Sequence, residues 1–274
     1  MTNRAKTRRK ETVSEVRKPF LNGDVTDENT VKSSLIFFGT MLIVIFVAFI
    51  ACISASYGSV ILKVLINTAV IALALMVFFN NGSRYGAEAV SRGEILYQKK
   101  EKGQAFSESE RKVSFHPAKG YVTGLIGTIP FLILAILLAV NTSVQMSEAG
   151  TLPSWMSPYL KRSDIGNALI SYTQAEGMNM TDYIRMLIRI CIIPFVNLVG
   201  TADKTGLCTL ERFSPIILLL PAVSYGTGYL TGRNIRTKIH TAISENDKKR
   251  IRKEKKRKAA RVRSEKRHET EKLN

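Results

Sequence analysis

The chain has 274 residues, of which 45% are hydrophobic, and its formal net charge is +18. The hydrophobic residues are concentrated in four long runs, which excludes a large water-soluble core because few of them remain for other segments. A chain this basic is unsuited to basic partners and instead favours anionic ones, such as phospholipid headgroups or RNA.

The four apolar runs predict the architecture. Each run is close to the ~20 residues that a helix needs to cross the hydrocarbon of a bilayer. We therefore predict an all-α, polytopic membrane protein that has four transmembrane helices, one further interfacial or re-entrant helix and no large soluble domain. The four runs comprise residues 35–53, 60–79, 121–140 and 213–230.

The first two runs form a predicted transmembrane hairpin over residues 34–81, and a basic cytoplasmic tail at residues 1–33 precedes it. Lys63 lies near the outer end of the second run, where a lysine side chain extends readily to the headgroups. Asn67 follows one turn deeper on the same helix face. The two residues are therefore either an interface anchor with one interhelical hydrogen bond, or the beginning of a polar path across the membrane.

Residues 82–120 form a predicted basic cytoplasmic loop, partly helical, before the third run. Small residues at four-residue intervals allow neighbouring membrane helices to approach closely. This spacing occurs at the beginning of the third run and again in the last run, so we interpret these positions as helix-packing sites. They are Gly120, Gly124, Ser224, Gly228 and Gly232.

Residues 141–212 form a predicted extracytoplasmic segment, which contains an ambiguous apolar stretch at residues 183–200. Arg185 and Arg189 interrupt this stretch. Its uncharged part, residues 190–200, would rise only about 16 Å as a helix, which is half of the hydrocarbon thickness. The pattern favours an amphipathic interfacial helix or a shallow re-entrant element. The alternative is a fifth span whose two arginines turn outward.

The distribution of Lys and Arg predicts the orientation. The last segment, residues 231–274, has seventeen Lys and Arg against six Asp and Glu. With four spans, this segment, the N-terminal tail and the loop after the second run all lie on one side, as the positive-inside rule favours. Five spans would export the most basic segment of the chain. We therefore predict a multi-pass plasma-membrane protein with both termini in the cytoplasm.

The C-terminal segment contains a polybasic run with a single acid, Glu254. Such a run binds anionic headgroups when it lies near a membrane, or the phosphates of RNA, as in the docking of a ribosome. Residues 233–274 contain no aromatic side chain, which argues against sequence-specific RNA reading because base stacking needs aromatic rings. The candidate lipid- or phosphate-contacting residues are Lys248, Lys249, Arg250, Arg252, Lys253, Lys255, Lys256, Arg257 and Lys258.

No signature of catalysis, cofactor binding or metal binding occurs in the sequence. The three histidines are scattered along the chain, and neither a phosphate loop nor a G-x-S-x-G nucleophile motif occurs. The apolar runs contain no Asp or Glu, which argues against a proton-coupled pump. We interpret the three cysteines as small buried hydrophobic residues, although the spacing leaves a bond between Cys191 and Cys208 open.

These features favour a non-enzymatic structural or accessory subunit of a membrane complex. Its basic cytoplasmic tails would contact anionic lipid, and its partners would be other membrane proteins or copies of itself, with no identifiable cofactor or small-molecule ligand. Two alternatives stay open: docking of a ribosome or RNA through the C-terminal tail, and a small-solute transporter or channel. The transporter needs a polar path, for which the candidates are Lys63, Asn67, Arg185, Arg189 and Asn197.

Overall fold

The computed structural model describes residues 15–55, 59–142, 154–166, 179–200 and 203–272. This part of the chain is predominantly helical and contains no strand. Its α-helices are α1 (Glu28–Ala55), α2 (Val60–Glu101), α3 (Glu108–Lys112), α4 (Lys119–Asn141), α5 (Met180–Cys191), α6 (Ile193–Val199) and α7 (Lys204–Lys272), and a 3-10 helix lies at Ser154–Lys161.

Four of the helices, α1, α2, α4 and α7, are long and apolar enough to cross a membrane. Each contains one of the four apolar runs, which confirms the prediction of an all-helical chain with four helices able to span a bilayer. The helices also continue beyond the runs. The extension is largest in α2, which has 42 residues, and in α7, which has 69 residues.

The four long helices form a bundle in which α2 and α7 run in the same direction and pack most extensively. Small side chains permit this close packing. The Ser224 hydroxyl donates a hydrogen bond to the carbonyl oxygen of Leu75 at 2.8 Å. Gly228 lies so close to α2 that an added Cβ would collide with the carbonyl oxygen of Phe79. Backbone-to-backbone packing therefore joins α2 to α7.

Aromatic side chains from α1, α2 and α7 pack against one another. The ring of Phe37 lies 5.2 Å from the ring of Phe78 and 5.2 Å from the ring of Tyr225, measured between centroids. On the far side of α1, the Ser34 hydroxyl donates to the carbonyl oxygen of Thr123 at 3.1 Å. These contacts connect α1 to both neighbours, and the core that they belong to continues toward α5 and α6.

The bundle has two chemically different ends. At the end that we call the basic end, α1 and α4 begin, while α2 and α7 continue past their apolar runs. At the opposite end, called the loop end, α1 and α4 finish, α2 and α7 begin, and α5 and α6 pack against them. The long helices therefore alternate in direction along the chain, as four successive spans require.

The ambiguous stretch at residues 183–200 folds as two short helices at the loop end. Pro194, which has no amide hydrogen, follows the break at Ile192 between α5 and α6. Ile188 and Ile192 are almost completely buried in the core. With 12 and 7 residues, neither helix alone has the length to cross a bilayer. Each of the four predicted spans therefore corresponds to a helix of sufficient length, whereas the described residues contain no such helix for a fifth span.

A structure that we call the stalk extends from the basic end. It consists of residues 80–101 of α2, residues 231–241 of α7 and the extended segment 15–27. The amide of Leu21 donates to the carbonyl oxygen of Gly93 at 3.1 Å. The described part of the predicted N-terminal tail therefore contacts α2 at Gly93 and α7 at Thr241, and α1 already begins at Glu28.

Candidate functional site

A buried ion cluster at the loop end joins three helices. Glu211 of α7 is only 2% exposed. Its carboxylate accepts a hydrogen bond from Arg185 Nε at 3.1 Å and lies 2.6 Å from Arg189 Nη2. Thr142, directly after α4, donates its hydroxyl to the same carboxylate. Arg185 is also paired with Asp182 at 2.7 Å. The cluster therefore ties α5 to α7 and to the end of α4.

Two of the predicted polar-path residues, Arg185 and Arg189, belong to this cluster. The sequence pattern predicts them on the polar face of an interfacial helix, yet Arg185 is only 7% exposed. The reason is Glu211, which supplies the counter-charge from a distant part of the chain. Removing one partner of a buried ion pair costs about 3–5 kcal/mol because an uncompensated charge remains. The arrangement therefore holds the loop end together.

The other polar-path candidates lie in separate contacts. Asn67 is fully buried, and its Nδ2 donates to the carbonyl oxygen of Lys63 at 2.7 Å within the same helix. Asn197 of α6 donates from Nδ2 to the carbonyl oxygen of Cys52 at 3.2 Å, which ties α6 to α1. Lys63 itself is half-buried near the beginning of α2. Among the described residues, no hydrogen bond connects these groups to the arginine cluster.

A second buried carboxylate lies in the stalk. Glu94 of α2 is 5% exposed, and it accepts a hydrogen bond from Arg236 Nη2 at 2.6 Å. Its other oxygen lies 2.8 Å from Nε2 of His240. Burial acts to raise the pKa of Glu94, but the hydrogen bonds from Arg236 and His240 and their charges outweigh it and hold the pKa below its ordinary value. These contacts clamp α7 to α2 beyond the apolar runs.

A third ion pair lies where the N-terminal segment reaches the bundle. Lys119 Nζ is 2.8 Å from Asp27 Oδ2, and it also donates to the carbonyl oxygen of Lys112 at 3.0 Å. Thr30 donates its hydroxyl to Asp27 at 2.6 Å. Although burial acts to raise the pKa of Asp27, the contacts with Lys119 and Thr30 lower it overall. The pair fixes the beginning of α1 to the beginning of α4.

The nine predicted phosphate- or lipid-contacting residues all lie on α7 and are exposed. Between Lys248 and Lys258 the one apolar side chain is Ile251, which is itself 50% exposed. The positive charges occupy every face of the helix, because residues in an α-helix are about 100° apart and nine of eleven consecutive positions are basic. This part of α7 makes no contact with the bundle's core clusters.

The predicted packing residues lie at helix contacts. The ring of Tyr229 covers Gly120, and Gly124 faces Ala222 across the α4–α7 contact. On α7, Gly228 and Ser224 face α2, as described for the fold. Gly232 also faces α2, where an added Cβ would collide with the backbone of Gly86. The partner glycines on α2, Gly82 and Gly86, carry the same four-residue spacing, which was the signal available to find them.

Sequence reasoning missed the carboxylates that organise both ends. Glu211 precedes the last apolar run by two residues, and Glu94 lies in a segment predicted as a loop. Their partners are distant in the chain, so no local spacing reveals them. Cys191 and Cys208 are not joined by a disulfide, and the described residues contain no cluster of His, Cys, Asp and Glu able to hold a metal ion.

The geometry defines the class: a helical bundle with four candidate membrane-spanning helices, which is the architecture of a multi-pass membrane protein. Comparison of the chain with protein-family models, curated proteins and solved structures finds no match.

Proposed function

We propose that the protein is a non-enzymatic membrane scaffold that uses its C-terminal basic helix to dock RNA, such as ribosomal RNA, at the membrane. In this proposal, α1, α2, α4 and α7 anchor the chain in the bilayer, and the stalk fixes the direction in which α7 leaves it. The observation that carries the proposal is the continuity of α7, which passes without a break from the bundle through the stalk to the polybasic run.

The continuity of α7 sets the distance between the basic residues and the membrane. Lys248 follows the end of the last apolar run, Leu230, by 18 residues, which is about 27 Å along a helix. Lys258 is about 42 Å from the same point. An ordinary tilt of about 20° shortens these distances by less than a tenth. Because charges are screened over about 8 Å at physiological salt, headgroups lie beyond the reach of most of this run.

The surface of the basic helix also favours a partner in solution over the bilayer surface. A helix that lies in the interface needs an apolar face that it buries among the headgroups. In residues 248–258 that face is absent, since Ile251 is the one apolar residue. A helix that is positive on all faces instead suits a partner with phosphates arranged around or along it, as in the grooves of folded RNA.

The chemistry of the helix predicts binding without sequence preference. Lys and Arg neutralise phosphates and release counterions, which yields affinity that falls steeply with salt. Reading of bases needs aromatic platforms, and residues 233–274 have none. The proposed contact is therefore with the phosphate backbone, which exists on the surface of any ribosome or structured RNA.

The test uses the full-length protein in nanodiscs of neutral lipid and a single-stranded oligouridine RNA. Two variants each lose five positive charges, one in the basic helix and one in the N-terminal tail. If the helix carries the binding, its variant lowers the slope of log K against log salt by about 3.5, since each single-strand phosphate contact contributes about 0.7, while the tail variant retains the wild-type slope. The helix variant changes five residues to Gln: Lys249, Arg252, Lys253, Lys256 and Arg257. The tail variant changes another five to Gln: Arg4, Lys6, Arg8, Arg9 and Lys10.

Two outcomes would overturn this proposal. One is equal loss of RNA binding in the two variants, which would reduce the effect to net charge. The other is loss of RNA binding by the wild type when the nanodiscs contain anionic lipid, because it would mean that the helix folds back onto the headgroups. Retention of RNA binding in anionic nanodiscs, with the slope still dependent on the helix, supports the proposal.

The transporter hypothesis receives less support from the described residues. A polar path requires its groups to converge on one cavity, whereas Arg185 and Arg189 are occupied by Glu211. Asn67 donates to the carbonyl oxygen of Lys63 within α2, and Asn197 donates to that of Cys52 in α1. Solute flux across proteoliposomes that changes in an Asn67→Ala variant would restore this hypothesis.

A further inference from the structure

Three cavities lie along α1 and α2, and we call them together the groove: its polar part lies toward the basic end and its apolar part lies deeper in the bundle. The polar part lies at the basic end and consists of two adjoining cavities of about 290 and 220 Å³. Both of these are lined by Ser33, Ile36 and Tyr85, which makes them neighbours around one point of the groove. We call this part the polar cavity.

The apolar part lies deeper in the bundle. It is a cavity of about 80 Å³ lined by aliphatic and aromatic side chains from α1, α2, α5, α6 and α7, and Phe78 lines both it and the polar cavity. We call it the apolar cavity. Along α1 its lining begins at Met41 and ends at Ala48, which is about 9–20 Å below the beginning of the apolar run at residue 35. One leaflet of hydrocarbon is about 15 Å deep, half of the bilayer core, so the apolar cavity lies around the middle of the hydrocarbon.

The polar cavity has more cations than its own acids can pair. Asp27 is paired with Lys119 at 2.8 Å, and Glu88 is paired with Arg92 at 2.6 Å. All four of these residues line the polar cavity.

Two further cations line the polar cavity without such a partner. Lys32 belongs to α1 and Arg84 to α2, so they approach the groove from opposite helices. Neither has an ion-pair partner in the described part of the chain, and Asn81 adds an amide beside Arg84. The cavity therefore has two uncompensated positive charges at the level where the apolar runs end, which is the depth of lipid phosphates.

We propose that this groove is a binding site for one anionic phospholipid of the membrane. The phosphate lies in the polar cavity near Lys32 and Arg84, where charge-assisted hydrogen bonds from a guanidinium are strong and oriented. One acyl chain passes Phe78 and lies along the apolar cavity, from which it excludes other molecules. The headgroup contacts supply the preference for an anionic lipid, and the buried chain supplies affinity.

The division of the groove favours a lipid over a soluble phosphate. A free phosphate or nucleotide would fill the polar cavity alone and leave the apolar cavity empty. A phospholipid matches both parts and their vertical order, because its charged group lies at the boundary and its chain lies within the hydrocarbon. The site is independent of the proposed RNA contact, since it shares no residue with positions 248–258.

The experiment measures retained lipid by native mass spectrometry after the protein is extracted from vesicles. The vesicles contain equal amounts of phosphatidylglycerol and phosphatidylcholine with identical acyl chains. The wild type is expected to retain phosphatidylglycerol in at least tenfold excess. The Lys32→Gln, Arg84→Gln variant is expected to reduce that excess to less than twofold, whereas the matched control Lys100→Gln, Lys102→Gln, which removes two exposed charges at the end of α2, is expected to retain it.

A second variant tests the apolar cavity. Ala74→Phe places a ring in its lining, and we expect it to lower retention of both lipids by fivefold or more without changing their ratio. The wild-type measurement needs no variant and therefore stands even if Ala74→Phe does not fold. Equal retention of the two lipids by the wild type would overturn the proposal. An equal loss of the phosphatidylglycerol excess in the control and in the Lys32→Gln, Arg84→Gln variant would also overturn it. The same holds if glycerol phosphate at a concentration equal to that of the lipid displaces the lipid, or if the protein is a dimer whose second copy fills the groove.

Discussion

The loop end and the stalk each contain one buried carboxylate that meets two cationic partners, but they differ in the kind of partner. Glu211 meets two guanidinium groups, which stay charged at every pH of interest. Glu94 meets one guanidinium and one imidazole. The first arrangement ties the short helix α5 to α7, whereas the second ties the two long helices α2 and α7 together in the stalk.

The two ends also differ in what would remain if the carboxylate were lost. The side chain of Arg185 is 8% exposed, whereas that of Arg236 is 23% exposed. A guanidinium that reaches water recovers part of its hydration, whereas Arg185 would stay buried with Asp182 as its remaining counter-charge and with its Nε without a partner carboxylate. This comparison predicts a larger energetic penalty at the loop end than in the stalk, although both carboxylates are almost fully buried.

The largest effect is expected for Glu211→Gln. The substitution leaves Arg185 and Arg189 facing a neutral amide, and we expect the free energy of unfolding in mixed micelles to fall by about 4 kcal/mol. The matched control is Asp164→Asn, whose carboxylate pairs with Arg162 at 2.7 Å on the surface. An exposed pair of this kind contributes about 0.5 kcal/mol. Similar losses in the two variants would contradict the role assigned to Glu211.

A smaller effect is expected for Glu94→Gln, because Arg236 regains water. We expect about 2 kcal/mol of lost stability, together with faster amide hydrogen exchange in residues 231–241 and unchanged exchange in α5. Glu88→Gln on the same helix serves as the control, since Glu88 pairs with Arg92 on the exposed face. If exchange in residues 231–241 were as slow in Glu94→Gln as in the wild type, the clamp would not hold the stalk.

The smallest effect is a response of the stalk to acid. The pKa of Glu94 is lowered in the folded protein, so its contribution is fully present above its ordinary value of 4.5 and is lost as the pH falls through the lowered value. We expect the protection of amides in residues 231–241, measured relative to their intrinsic exchange rates, to fall below about pH 4.5, and we expect Glu94→Gln to abolish this pH dependence. The Glu94→Gln variant at each pH serves as the reference. An equal fall of protection in the wild type and in Glu94→Gln would show that Glu94 is not the group responsible.

The sequence predicts the long helices well because the membrane imposes a simple rule. A run of about 20 apolar residues satisfies its backbone hydrogen bonds within one helix, whatever its neighbours are. The same reasoning finds the small-residue face of α7 at Ser224, Gly228 and Gly232. It does not find the extent of α7, because residues 231–272 have no apolar period that distinguishes a projecting helix from a loose tail.

The contacts that organise the two ends were not predictable from local pattern. Arg185 and Glu211 are 26 residues apart, and Glu94 and His240 are 146 residues apart. Charge periodicity describes which helix face a residue occupies, not which helix lies opposite. The extended segment 15–27 was hidden for the same reason, since its hydrogen bonds are with the distant Gly93, Phe115 and Thr241.

The unbroken α7 makes the molecule a lever. About 100 Å of helix runs from Lys204 to Lys272, and the contact between Glu94 and His240 divides it into an inner and an outer arm. The outer arm, from His240 to Lys272, is about 48 Å long, so a pull at its tip arrives at this fulcrum as a torque. The fulcrum rests on α2, and Glu211 holds the inner arm of the same helix at the loop end. A load carried by the tip therefore acts on the contact between Glu94 and His240 before it reaches the loop end.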